Sequence, residues 1–361
     1  MRFAFTQSFL LERLNTSEAA NYYRWLALRR NKQAFTYGFD TFSPELGWIS
    51  EANLRDVPAF DGKTVSTNGD GLRGSVDFPP EPGPRPRVLF LGDSFTFGDE
   101  VSDDETYCHY LQQMRPDLEI INMGVHGYGH DQILLLYREL GRRYKPDYVF
   151  LGYLTIDRRR NIMAFRDYAK PKFELVERAL LLTNSPVESP GALLGRSWFR
   201  IRLVDFAAIL QWSVLVRSGR VEKMEKEITT PILQELAKEI RAGGARPVFF
   251  FLSGHWHPSS SEEISEEAYL RELCESQPQS LDYFSARPVA ETEAVRKAKE
   301  EAPAHWGPLG NRMVAENINR HLIDLGLPEP ADELNRTGSN QIESSAGLYS
   351  GFLHRDEPGD S

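Results

Sequence analysis

The chain has 361 residues, of which 41% are apolar and 26% charged, a composition typical of a globular protein with a full hydrophobic core. Its formal net charge of −10 argues against nucleic acid and against anionic membrane surfaces as partners. Two cysteines, Cys108 and Cys274, provide neither a disulfide framework nor metal-ligand spacing. No apolar stretch has the length of a membrane span, and the first residues lack the pattern of a signal peptide. We therefore expect a cytoplasmic protein by default, with a removed leader left open.

Residues 1–85 contain many aromatic side chains but no repeated alternation of strand and helix patterns. This region ends in a proline-rich stretch at residues 79–86, which is typical of a stiff connector. We predict that residues 1–85 form an N-terminal extension packed on the main domain. At the other end, the polar composition of residues 328–361 predicts a disordered tail.

From residue 87 onward, apolar runs alternate with helical patterns. Four runs are typical of buried parallel strands: Val88–Leu91, Glu119–Met123, Tyr148–Leu154 and Val248–Leu252. Apolar residues at helical spacing predict three helices: Gln132–Tyr144, Ile228–Ile240 and Asn311–Leu325. This alternation predicts an α/β fold with a doubly wound parallel sheet over residues 86–327, interrupted by an insertion at about residues 158–228.

The first apolar run leads into Gly-Asp-Ser at residues 92–94. A strand that ends at a serine places the hydroxyl at the sheet edge where α/β folds bind ligands, beside the unpaired N–H groups of the next helix. This layout is typical of a nucleophile with an oxyanion site, although Ser94 as a plain helix cap is the alternative. His305 is the candidate base, because its turn-rich loop precedes a helix that docks on the sheet, and a purely structural histidine is the alternative.

Three blocks, in this order along the chain, resemble the SGNH (GDSL-type) hydrolases. They are Gly-Asp-Ser-Phe-Thr-Phe-Gly at 92–98, Asn-Met-Gly-Val-His-Gly-Tyr-Gly at 122–129 and His-Trp-Gly-Pro-Leu-Gly-Asn at 305–311. The resemblance implies a three-layer α/β/α fold with a five-stranded parallel sheet of flavodoxin-like order. It also implies that Ser94 is the nucleophile and His305 its base. The backbone N–H groups of Ser94 and Gly124 are implied to be oxyanion donors.

Two positions depart from the family pattern. Ile156 stands where the family has an asparagine that completes the oxyanion hole, and isoleucine cannot donate a hydrogen bond. Thr155 and Arg158 are candidates to replace it, with a structural role as the alternative for both. Ala302 stands where the family has the acid of the triad. Glu301 is the candidate replacement, and the alternative is that it is a solvated surface charge.

Four residues near the predicted strand ends are candidates for substrate binding: Asp157, Arg158, His126 and His255. His255 and His257 lack a third ligand with recognisable spacing, so we predict no metal. No cofactor is predicted either.

These features predict a serine-dependent hydrolase of acyl esters that acts on a small molecule or a carbohydrate. The sequence shows no lid-like apolar helix, which favours short-chain or acetyl groups over long-chain lipids. Two alternatives stay open: an O-acyltransferase that passes the acyl group to a sugar hydroxyl, and a binding protein that keeps the fold with little activity. The sequence determines neither the ester nor the oligomeric state.

Overall fold

The computed structural model describes residues 17–30, 35, 37–196, 202–254, 259–277, 279, 281–297 and 304–327. The predicted tail over residues 328–361 lies outside this set. The chain divides into two compact units, residues 1–321 and 322–361. The described residues of the second unit form the end of the last helix. Gly326 adopts a left-handed conformation there, and the Leu327 N–H donates to the Leu322 carbonyl.

A five-stranded parallel sheet forms the centre of the first unit. Its strands are β5 (Arg87–Gly92), β6 (Glu119–Gly124), β7 (Tyr148–Tyr153), β10 (Arg246–Phe251) and β11 (Asp282–Ser285). The spatial order is β6-β5-β7-β10-β11, and the register pairs Gly92 with Gly124 at the ends of β5 and β6. This is the flavodoxin-like order 2-1-3-4-5. The predicted α/β fold class and the four predicted strands are confirmed, while β11 was absent from the sequence pattern.

Three long helices cover one face of the sheet: α4 (His130–Glu139), α8 (Arg220–Ala242) and α9 (Ser261–Glu275). Their apolar side chains join alternate residues of the strands, such as Leu89 and Leu151, in one continuous core. Two predicted boundaries were wrong. The helix predicted to end at Tyr144 ends at Glu139 and is followed by a 3-10 turn at Gly141–Tyr144, and the helix predicted from Ile228 begins at Arg220.

The opposite face is covered by α3 (Tyr107–Met114) and α12 (Pro308–Asp324). The Phe90 ring on β5 contacts the Tyr107 ring edge-to-face at 5.6 Å. The His321 ring of α12 stacks on Phe284 of β11 at 3.9 Å between ring centroids. Helices on both faces of one parallel sheet make the three-layer α/β/α arrangement.

The described part of residues 17–85 contains helix α1 (Glu18–Arg30) and two small antiparallel hairpins. The hairpins are β1 (Asp40–Ser43) with β2 (Gly47–Ser50), and β3 (Val57–Ala59) with β4 (Lys63–Val65). Trp48 on β2 is buried, and its indole N–H donates to the His126 carbonyl at 3.1 Å. This contact brings the first hairpin to the loop that follows β6.

Residues 158–228, the predicted insertion, contain a hairpin and two helices ahead of α8: β8 (Lys172–Val176), β9 (Ala179–Thr183), α6 (Pro190–Arg196) and α7 (Arg202–Arg217). Helix α7 carries exposed apolar side chains, of which Leu203 is 75% and Val214 64% exposed. These exposed apolar side chains remove the support that the predicted absence of a lid-like apolar helix gave to short acyl groups. Among the described residues, no helix is long and apolar enough to cross a membrane.

The shorter elements complete the order. They are the one-turn helix α2 (Ser94–Phe97), the 3-10 turn Asp103–Glu105, and the helices α5 (Thr155–Arg160), α10 (Arg287–Glu291) and α11 (Glu293–Lys297). Helices α2 and α5 follow β5 and β7 directly. The sheet edge at the carboxyl ends of these strands therefore carries both of them.

Candidate active site

Ser94 is the first residue of helix α2, immediately after the strand β5. Asp93 caps this helix by accepting a hydrogen bond from the Phe95 N–H at 3.0 Å, and Gly98 ends it in a left-handed conformation. Within the described part of the chain, the Ser94 N–H has no hydrogen-bond partner. Asp93, and not Ser94, is therefore the N-cap of α2. The alternative that Ser94 is a plain helix cap was wrong.

The imidazole of His305 reaches Ser94 from the loop before α12. His305 Nε2 lies 2.8 Å from Ser94 Oγ, which is hydrogen-bond distance. The His305 ring also packs on the Phe95 ring at 4.9 Å, and Trp306 meets Phe95 edge-to-face at 5.3 Å. Asn311 donates to the Trp306 carbonyl at 2.8 Å, so the loop is held from both sides. The structure thus brings together the two residues that the sequence singled out.

A carboxylate from the loop after α2 lies on the other side of the histidine ring. Glu100 Oε2 is 3.6 Å from His305 Nδ1. The same oxygen accepts hydrogen bonds from the N–H groups of Ala304, at 3.0 Å, and His305, at 2.9 Å. Sequence reasoning missed Glu100. The only signal was an acidic pair directly after the first block, at residues 99 and 100.

Asp99 is buried behind the site and faces the serine side of the ring. Its Oδ2 lies 4.0 Å from His305 Nε2 and accepts a hydrogen bond from the Tyr37 hydroxyl at 2.7 Å. Burial raises the pKa of Asp99, although His126, His305 and Tyr37 act in the opposite direction. Tyr37 could not be placed here from the sequence, because it lies 62 residues before Asp99 in the predicted extension.

The carboxylates around His305 set its protonation. Burial acts to lower the pKa of His305, but Glu100, Asp99 and Asp93 together outweigh burial and raise this pKa above its ordinary value. For Glu100, burial acts to raise the pKa. Its contact with His305 and the two N–H groups that it accepts outweigh burial and lower it. The histidine therefore holds its proton more tightly than an isolated imidazole does.

Gly124 occupies the end of β6, beside the backbone of helix α2. Its N–H donates to the Asn122 side-chain oxygen at 2.9 Å, so this N–H is already paired. A Cβ at this position would lie 2.1 Å from the Phe97 nitrogen and 2.5 Å from the Thr96 carbonyl carbon. The predicted oxyanion role of Gly124 is therefore not supported by this geometry. The glycine is required here because helix α2 packs directly on it.

Thr155 and Ile156 open helix α5, after β7. The Thr155 hydroxyl donates to Glu263 Oε1 at 2.8 Å, and the Ile156 side chain is 49% exposed. Both residues line a cleft of about 330 Å³ at the sheet edge, together with Gly254 from the end of β10. Thr155 thus lines the cleft, and its hydroxyl already donates its proton to Glu263. The hydroxyl is therefore not free to donate to an oxyanion beside Ser94 in this structure.

Asp157, a predicted substrate contact, is fully buried. It pairs with Arg160, and Arg160 also donates to Asp93 Oδ2 at 3.0 Å and to the Tyr128 carbonyl at 2.8 Å. Burial, and then the charge of Asp93, raise the pKa of Asp157 well above its ordinary value. The predicted substrate role of Asp157 is wrong, because the side chain is enclosed. Arg160, which the sequence did not indicate, braces the residue that caps α2.

Arg158 is likewise buried and paired with carboxylates of the protein. Only 4% of the residue is exposed, and its guanidinium pairs with Glu225, at 3.2 Å, and with Glu266. The expectation that Arg158 binds substrate or an oxyanion was therefore wrong, since both carboxylates already hold it. Arg158 and Glu225 also line the cleft after β7.

His126 is buried and bonded to Asp40 of the first hairpin at 2.6 Å, under the Tyr37 ring. Burial acts to lower the pKa of His126, but Asp40 and Asp99 outweigh it and raise the pKa. The predicted substrate contact of His126 was wrong, because its ring is covered.

The predicted residues His255 and Glu301 lie outside the described residues. In the described ranges, no group of three or more His, Cys, Asp and Glu side chains is placed to hold a metal ion.

Solved structures similar to this chain include the acetyl xylan esterase AlAXEase, at 14% identity and a TM-score of 0.39, with 65% of this chain and 99% of that chain covered. The psychrotrophic esterase EstA from Pseudoalteromonas sp. has 13% identity and a TM-score of 0.40, with 67% and 99% covered. A GDSL-like lipase from Bacteroides thetaiotaomicron has 13% identity and a TM-score of 0.35, with 66% and 88% covered. No family model matches the chain, and no curated protein matches it significantly. At this level of similarity, function has to be inferred from the site.

Proposed function

We propose that this chain is a serine-dependent hydrolase of acyl esters, with Ser94 as nucleophile and His305 as general base. The observation that carries the proposal is the 2.8 Å contact between Ser94 Oγ and His305 Nε2 at the carboxyl edge of a parallel sheet. A serine hydroxyl is a weak nucleophile until a neighbouring base accepts its proton. The resemblance of three ordered sequence blocks to the SGNH hydrolases supports the same assignment.

The reaction follows from this geometry in two halves. In the first, Ser94 Oγ attacks the ester carbonyl carbon while its proton passes to His305 Nε2, and the negative charge on the carbonyl oxygen develops near the Ser94 N–H. The intermediate then collapses, and Nε2 returns the proton to the departing alcohol. In the second half, water gives a proton to Nε2 and attacks the acyl-serine ester. Collapse releases the carboxylic acid and restores the serine hydroxyl.

The proton transfer requires a particular form of the histidine. Nε2 accepts the serine proton, so the neutral ring carries its own proton on Nδ1, the nitrogen that faces Glu100. Protonation of Nε2 blocks the first step. Activity therefore depends on the neutral form of His305, and a raised pKa moves the onset of activity to higher pH.

We infer that the acyl group is short, in particular an acetyl group. Ser94 is only 6% exposed, and the Phe95 and Trp306 rings stand beside the catalytic histidine. This leaves little open surface at the nucleophile for a long chain. The alcohol part is then either a small molecule or a carbohydrate hydroxyl.

The test is hydrolysis of p-nitrophenyl esters of increasing chain length, together with labelling by a fluorophosphonate probe. Wild-type protein should be labelled and should prefer acetate over octanoate, while Ser94→Ala should lose both labelling and turnover. Ser66→Ala is the matched control. Ser66 is also a buried serine, 4% exposed, and its hydroxyl oxygen accepts a hydrogen bond from the Asp56 N–H. An unlabelled wild-type protein, or turnover that survives Ser94→Ala, would overturn the proposal.

A further inference from the structure

The first sequence block and the loop that follows it contain the nucleophile, its helix cap and the carboxylate nearest to the base. We propose that Glu100 is the acid that positions His305, in place of the acid missing at Ala302. This inference rests on the proposed function, since it gives a role to Glu100 through the histidine. Glu100 touches no reacting atom, so it is a positioning residue.

Three contacts converge on a single oxygen of Glu100. Oε2 accepts the N–H of Ala304 at 3.0 Å and the N–H of His305 at 2.9 Å, and it lies 3.6 Å from His305 Nδ1. The backbone contacts fix the carboxylate relative to the residue whose ring it faces. A carboxylate tied to both the backbone and the ring of the same histidine orients that ring toward Ser94.

The backbone of Glu100 adopts a conformation that non-glycine residues rarely take. Its φ is +66°, in the left-handed region, which costs of order 1 kcal/mol or more for a side chain of this kind. The neighbours on both sides are buried: Asp99 is 1% exposed and Val101 is fully buried. These anchors hold the turn that directs the Glu100 side chain at the histidine loop.

The other carboxylates that face the ring are placed for different tasks. Asp99 lies 4.0 Å from Nε2, the nitrogen that binds Ser94, and its Oδ2 accepts the Tyr37 hydroxyl. Asp93 is held by Arg160 and by the Phe95 N–H. Within the described residues, Glu100 is the carboxylate at Nδ1. His305 Nδ1 is buried and has no hydrogen-bond partner among the described residues, and Glu100 Oε2, at 3.6 Å, is the carboxylate oxygen that faces it.

The chemical consequence concerns the histidine in both of its protonation states. In the neutral ring, the nearby negative charge keeps the proton on Nδ1 and leaves Nε2 free to accept from Ser94. When Nε2 takes the serine proton, the ring becomes a cation and Glu100 stabilises it. Glu100 keeps its negative charge throughout, which its low pKa favours.

The experiment compares Glu100→Gln with wild-type protein by the pH dependence of kcat/KM on p-nitrophenyl acetate. Glutamine keeps an oxygen that can accept the two backbone N–H groups but removes the charge. We expect kcat/KM at neutral pH to fall about 10- to 1000-fold. We also expect the acid limb of the profile to move to lower pH, because the histidine loses a charge that raised its pKa while Asp99 and Asp93 remain.

Glu105→Gln is the matched control. Glu105 lies on the same loop, pairs with Lys63 at 2.7 Å and accepts the Ser102 N–H at 2.8 Å, and its pKa is also lowered. It should leave both kcat/KM and the acid limb in place. Glu100→Asp keeps the charge on a shorter side chain. If the glutamine variant folds poorly, Glu100→Asp is measured in its place, and its acid limb should lie at the wild-type position.

The outcomes separate this inference from the proposed function. If wild-type protein hydrolyses the ester and depends on Ser94, but Glu100→Gln leaves the acid limb unmoved, the role of Glu100 is overturned and the serine mechanism stands. The role of Glu100 is also overturned if Glu301→Gln moves the acid limb of the pH profile and Glu100→Gln does not. If both Glu100→Gln and Glu105→Gln move it equally, the effect is one of general charge, and the positioning role is again overturned.

Discussion

His305 Nε2 and Ser94 Oγ lie 2.8 Å apart although the two residues are separated by 211 positions in the chain. The contact is formed because the loop before α12 packs on the Phe95 ring, which belongs to the helix that Ser94 begins. One aromatic side chain thus contacts both the loop of the proposed base and the helix of the proposed nucleophile. We expect the carboxylates around the ring to set the pH at which the proposed pair is active.

The first prediction concerns pH. The raised pKa of His305 means that the protonated, inactive ring persists to higher pH than it would for an unperturbed histidine. We expect kcat/KM for p-nitrophenyl acetate to increase with pH, with a midpoint above about 6.5. Asp99→Asn removes one of the charges that raise this pKa, so its midpoint should be lower than that of the wild-type protein. A wild-type midpoint below 6 would contradict the electrostatic account.

The second prediction concerns Gly124. In Gly124→Ala the new methyl group meets the backbone of α2 at Thr96 and Phe97, atoms that cannot give way without moving Ser94. We expect the free energy of unfolding to fall by about 1–3 kcal/mol and kcat/KM to fall with it. Denaturant unfolding and ester hydrolysis measure the two effects.

The control for this variant is Gly191→Ala, because a Cβ at Gly191 in helix α6 would meet no heavy atom within 4 Å. It should leave stability and activity close to wild type. If Gly124→Ala keeps full activity, the close packing of α2 on β6 does not constrain the nucleophile.

The third prediction concerns Lys170, whose side chain is fully buried. Its ammonium group pairs with Asp131 and also donates to the carbonyls of Arg160 and Met163, each at 3.1 Å. Lys170→Met leaves the Asp131 carboxylate buried without its cation, so we expect a loss of about 3–5 kcal/mol in the free energy of unfolding.

Lys172→Met is the comparison for this variant, because Lys172 is only two residues away and its side chain is 26% exposed. Its pairing with Glu174 at the surface should contribute less than about 1 kcal/mol. Equal effects of the two substitutions would show that the buried pair does not stabilise the segment between Arg160 and Lys170.

The strands and the position of Ser94 after a strand could be predicted because their signals are local. A buried parallel strand appears as a continuous apolar run, and Gly-Asp-Ser follows one such run directly. Strand β11 has only four residues, Asp282–Ser285, and two of them are polar, so its sequence gives no such run. It becomes a strand because β10 offers it a parallel edge.

The surroundings of the nucleophile could not be predicted in the same way. Glu100 reaches His305 because a left-handed turn directs it there, and a turn held by its buried neighbours has no sequence pattern. Arg158 is a comparable case, since nothing in the sequence places Glu225 or Glu266 against it. Its positive charge suggested that it binds an anionic substrate or oxyanion, but its anionic partners are Glu225 and Glu266 of the same chain.

The position of Glu100 also has a consequence for the order in which the site is made during synthesis. The nucleophile and the carboxylate proposed to position its base lie six residues apart and leave the ribosome together. The base follows only 205 residues after Glu100. His305 is thus the last of the three residues to be synthesised. If Ser94 depends on His305 as proposed, a nascent chain that ends before residue 305 cannot yet have an activated serine.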